Sequence, residues 1–112
     1  MDEVEQLAEM LKALADPTRL KLVQLLGQNA PGTSACETET CNGMGFLCVN
    51  ALAQRLGITQ SAVSQHLRVL RQAGLVNSER RGSFVHYTLD GEGLTQVRKA
   101  LREALGEDLP AP

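Results

Sequence analysis

The stretch 49–74, VNALAQRLGITQSAVSQHLRVLRQAG, decides the fold. It opens with a short helical run, Val49 to Leu56, that Gly57 ends. Ile58 packs beneath, and Thr59 is a good N-cap for a helix starting at Gln60. From Gln60 to Ala73, Val63, Leu67 and Leu70 recur at helical spacing and mark the inward face. The outer face keeps Gln60, Ser61, Ser64, Gln65 and Arg68. Gly74 suits a left-handed end to this helix. Two helices joined by a short glycine-containing turn are a helix-turn-helix signature.

Downstream, Leu75–Arg80 and Ser83–Leu89 are β-prone runs around an Arg81-Gly82 tip, which predicts a hairpin. Asp90 can cap a last helix with Leu94, Val97, Leu101 and Leu105 on its apolar face. Upstream, Leu7, Met10, Leu11 and Leu14 mark an amphipathic first helix. Asp16-Pro17 resets the chain into a second helix, with Leu20, Val23, Leu25 and Leu26 apolar and Gly27 as its stop. The predicted fold is mainly α with a small β-hairpin wing. Residues 1–106 form one winged helix-turn-helix domain. A cysteine-bearing loop, 28–47, is inserted before the helix-turn-helix, and 107–112 is a tail.

The chain has 112 residues, 43% of them apolar and only 3% aromatic, so its core must be mostly Leu, Val and Ala. No apolar run approaches the roughly 20 residues that span a bilayer. The start, Met1-Asp2-Glu3, lacks the basic-then-apolar order of a signal peptide. The expected location is the cytoplasm, with no membrane partner. There, three clustered cysteines suggest metal binding or redox sensing rather than a disulfide framework. The net charge of -2 is unhelpful to nucleic-acid binding, but its distribution is not. From Gln54 to His86, Arg55, Arg68, Arg71, Arg80 and Arg81 face Glu79 alone, a net of +4. By itself such a run is ordinary solvated surface.

Leu14-Ala15-Asp16-Pro17-Thr18-Arg19-Leu20, the segment Leu56 to Leu70, and Arg81-Gly82-Ser83-Phe84-Val85-His86-Tyr87 together resemble the ArsR/SmtB family of transcriptional repressors. The resemblance runs from about Leu11 to Leu89. It implies a homodimer that represses an operon and releases DNA when an inducer binds. Family members often carry a Leu-Cys-Val-Cys-Asp-Leu box. Here the matching stretch is Leu47-Cys48-Val49-Asn50-Ala51-Leu52. Cys48 matches the first box cysteine, Asn50 replaces the second, and Ala53 stands where some arsenite sensors have a third. The loop before the box is longer than usual and adds Cys36 and Cys41. A second family site uses acids and histidines on the last helix. Residues 90–105 hold no histidine, so that site is expected to be absent.

Double-stranded operator DNA is the expected partner. Gln60, Ser61, Ser64, Gln65 and Arg68 would read base edges or hold phosphates. Arg80 and Arg81 would meet phosphate or the minor groove at the wing. His66 and His86 read as packing or wing residues rather than ligands. The apolar stripes of the first and last helices are expected to be buried in a two-fold homodimer. Cys36, Cys41 and Cys48 suit trivalent arsenic or antimony, or a soft metal ion, as inducer, with no metal required for folding. The alternative is a thiol switch that closes a disulfide or polysulfide bridge. A third reading leaves the cysteines incidental. Nothing supports an enzyme: the Cys36/Cys41 spacing is not C-x-x-C, and no phosphate loop stands out.

Overall fold

The computed structural model describes residues 2–28, 47–82 and 84–106. Its elements are α1 (Glu3–Leu14), α2 (Pro17–Gln28), β1 (Leu47–Cys48), α3 (Val49–Leu56), α4 (Gln60–Gln72), β2 (Val76–Arg81), β3 (Phe84–Leu89) and α5 (Gly91–Leu105). The sheet is antiparallel in the order β1-β3-β2. This is a winged helix-turn-helix.

Caps set the boundaries. Asp2 accepts from the Glu5 N–H at 2.8 Å, and Asp16 from the Arg19 N–H at 3.0 Å. Thr59 Oγ1 accepts from Ala62 at 3.1 Å, and Asp90 from Gly93 at 3.1 Å. Each side chain satisfies a donor that the first helical turn leaves over. Gly57, at φ 68°, ends α3 in the left-handed region, and Gly74, at φ 79°, turns the chain after α4.

The core joins every helix to the wing. Leu22, Leu52, Val63, Leu67, Leu70, Leu75, Val76 and His86 are fully buried at its centre. Leu7 and Met10 of α1 and Val97 of α5 are also buried, and the two helices pack together within one chain. The terminal stripes therefore cover each other in part, where the sequence assigned both to a dimer. Val4, Leu11 and Leu105 remain exposed.

Three local expectations need correction. Leu22 and Leu26, not Leu20, are the buried leucines of α2; Leu20 is 48% exposed. Gly27 does not stop α2, which continues to Gln28. A Cβ at Gly27 would stand 3.3 Å from Leu89 Cδ1, so this glycine serves a close approach to β3 rather than a turn. Finally, Leu47-Cys48 form a short strand that adds to the wing beside β3. Two residues carry no periodicity, which is why the sequence shows no strand there.

Candidate nucleic-acid interface

Helix α4 separates its faces cleanly. Val63, Leu67 and Leu70 are fully buried. Gln60, Ser61, Ser64, Gln65 and Arg68 are all exposed. At 3.6 residues per turn these five fall within an arc of about 140°. The first of them is also tied to the preceding helix: Gln60 Nε2 donates to Asn50 Oδ1 of α3 at 3.2 Å.

The wing is tethered to the same helix. Arg71 Nη1, in the last turn of α4, donates to Ser78 Oγ of β2 at 3.1 Å. Arg80 is exposed opposite Val85, and Arg81 pairs with Phe84 at the tip. Gly82, at φ 62°, makes the turn there.

Behind α4 lies a polar corner. Arg19 donates through Nε to the Ala13 carbonyl and, at 3.4 Å, through Nη2 to the Lys12 carbonyl, both at the end of α1. Its Nη1 lies 3.3 Å from His66 Nδ1 on α4, and Asp16 Oδ2 lies 4.0 Å from the same nitrogen. The Arg19 backbone N–H holds the Asp16 carboxyl below its ordinary value. The charges of Arg19 and His66 act in the same direction, and partial desolvation opposes them. His66 is thus half-buried packing, as its sequence context suggests.

Among the cysteines, Cys48 is described and is 4% exposed. It is the N-cap residue of α3 and stands opposite His86 in the β1–β3 ladder; His86 is 2% exposed. Directly opposed residues on antiparallel strands project to one face, so thiol and imidazole enter the same part of the core. Cys36 and Cys41 lie outside the described residues. Among the described residues, no three His, Cys, Asp or Glu side chains converge as a metal site.

Sequence reasoning missed the contacts of Asn50 and Arg19, and that of Arg71 with Ser78. Asn50 registered only as a departure from the cysteine box. Arg19 registered only as part of a motif. Their contacts join different elements, which the spacing within one helix does not encode.

A buried hydrophobic seam under an exposed polar helix, with a wing tethered beside it, defines a winged helix-turn-helix regulator that binds DNA. Residues 41–78 match the profile of the bacterial regulatory protein, arsR family. The chain is 39% identical to the transcriptional regulator NmtR of Mycobacterium tuberculosis, over 89% of its own length and 68% of that protein. It is 33% identical to the arsenical resistance operon repressor of Escherichia coli, over 86% of its length and 69% of that repressor. A homodimeric winged helix-turn-helix DNA-binding domain from Mycobacterium bovis superposes with a TM-score of 0.65 at 27% identity, covering 96% of this chain and 84% of the other. This chain belongs to the ArsR family of bacterial transcriptional regulators, and is not an enzyme. No described helix is long and apolar enough to cross a membrane.

Proposed function

We propose that the chain is a cytoplasmic, homodimeric repressor that reads a palindromic operator with α4 and is released by a thiophilic inducer. The observation that carries the DNA part is the exposure of Gln60, Ser61, Ser64, Gln65 and Arg68 on one arc, over a fully buried apolar face. Arg80 and Arg81 add the wing contact to phosphate or the minor groove. Two copies related by a two-fold axis would set their recognition helices roughly 34 Å apart, one turn of DNA. The homodimeric M. bovis domain supports this assembly, as do exposed Val4, Leu11 and Leu105 on the terminal helices.

Arg68→Ala and Arg80→Ala test the interface. Each should weaken binding to duplex DNA and lower the salt slope by about one unit per lost phosphate contact. Unchanged affinity and slope in both would remove α4 and the wing as the contact surface.

Cys36, Cys41 and Cys48 are the proposed inducer site, taking trivalent arsenic or antimony, or a soft metal ion. The resemblance to an arsenical resistance repressor supports a metal or metalloid signal. Cys48 would connect such a site to DNA, because it is the N-cap residue of α3, the helix that packs against α4. Ligation there would shift α3 and with it the recognition helices. A few kcal/mol of differential affinity suffices to empty an operator. Native mass spectra of the reduced protein with arsenite give the direct test. One arsenic per chain with three protons lost supports the trap. No arsenic uptake, with two hydrogens (two protons and two electrons) passed to a mild oxidant, supports a disulfide switch instead. Cys48→Ser that still represses and still responds would remove Cys48 from either.

A further inference from the structure

We propose that Asn50 is a positioning residue for base reading: it fixes the Gln60 amide so that Gln60 recognises an adenine in each half-site. The inference rests on the DNA reading above and deepens it. The N-terminal residues of a recognition helix are the ones that reach base edges. Gln60 is the first residue of α4 and is exposed. A free glutamine side chain there samples several rotamers and must lose that freedom on binding. Here it is held beforehand, because Gln60 Nε2 donates to Asn50 Oδ1 at 3.2 Å.

The chemistry of the held amide selects the base. A glutamine amide has two N–H donors and a carbonyl acceptor. Donating one proton to Asn50 keeps a second Nε2 proton and Oε1 for DNA. That donor–acceptor pair matches N7 and N6 of adenine in the major groove. In this bond Asn50 is the acceptor, and its backbone is fixed in α3. It lies two residues after Cys48, the N-cap residue of that short helix.

The test starts from duplexes selected by the wild-type protein from a random-sequence pool. Each half-site position is then substituted in turn, and relative affinities are measured. Gln60→Ala should lose an adenine preference at one position, by roughly 5- to 150-fold. Asn50→Ala should lose preference at that same position, by about 2- to 10-fold, the scale expected for a side chain no longer pre-ordered. Its preferences elsewhere and its salt slope should stay as in the wild type. Asn50→Asp keeps the acceptor; it should restore the preference, although its charge lowers affinity for all duplexes alike.

Full preference at that position in Asn50→Ala would overturn the proposal, as would a Gln60→Ala protein with unaltered preferences everywhere. A wild-type protein that binds no duplex even at low salt would overturn the DNA reading itself. Retained folding of each variant is checked by its thermal melt.

Discussion

Glycines serve opposite needs at the two joints that flank the recognition helix: conformation at Gly57 and Gly74, space at Gly93. At the α3–α4 turn, Gly57 sits at φ 68°, and among the described residues nothing lies within 4 Å of a Cβ built on it. There the requirement is conformational: an L side chain has room but strains the backbone. At the other end, Gly93 lies inside α5 with no positive φ, yet a Cβ on it would stand 1.8 Å from the Gly74 carbonyl oxygen. There the requirement is space. The turn after α4 and the start of α5 touch backbone to backbone, closed by Asp90 N–H to the Leu75 carbonyl at 2.9 Å. A glycine can thus mark a bend or a contact, and only the first kind announces itself by its position at the end of a helical pattern.

Substitution separates the two. Gly93→Ala carries the largest expected effect. In an exposed helix interior this change would stabilise by up to about 1 kcal/mol. Here it should destabilise by about 3 kcal/mol in urea melts, because backbone must move. A variant more stable than the wild type would break the contrast. Gly57→Ala should cost about 1–2 kcal/mol, the penalty of a left-handed alanine. Gly57→Asn should recover part of that loss, since asparagine tolerates this region better; equal losses would mean that crowding matters at Gly57 too.

Thr59→Ala sharpens the first joint further. It removes the acceptor for the Ala62 N–H and should cost about 1 kcal/mol by the same melts. The smallest effect belongs to a third joint, the glycine-free corner at Asp16-Pro17. With its folded carboxyl below the ordinary value, Asp16 contributes stability that is present above its unfolded value and lost as pH falls through the folded one. Asp16→Asn should therefore differ most from the wild type near neutrality. The difference should shrink in acid, on the scale of an exposed polar contact. A gap that persists unchanged below about pH 3 would assign it to packing rather than to charge.

The same contrast explains what could be read in advance. Helix α4 was legible down to its cap because Val63, Leu67 and Leu70 repeat with the helix and Thr59 and Gly57 stand at its start. The wing was legible from its turn, and α1 and α5 from their stripes. Local signals failed where distant segments meet. Leu22 sits in a run of apolar neighbours, and which leucine turns inward depends on what α2 packs against. Gly27 looks like a stop and is a spacer for Leu89. Of the candidate interface, the exposed residues of α4 were legible, but the Asn50–Gln60 bond was not. It joins positions ten apart across a turn, and its geometry follows from how α3 meets α4.

The pairing of β1 with β3 has an evolutionary consequence. Helix α2 meets β3 where Gly27 faces Leu89, and the chain returns to β3 where Cys48 stands opposite His86. The two anchor points are three residues apart on one strand, roughly 10 Å. The last turn of α2 and the start of β1 thus meet one strand at nearly the same place. For a segment that joins such points, each doubling of length adds only about 0.6 kcal/mol of closure entropy. These two anchors make β3 an exchangeable port: the length of chain that joins them can be rewritten by mutation while the scaffold around it keeps its register.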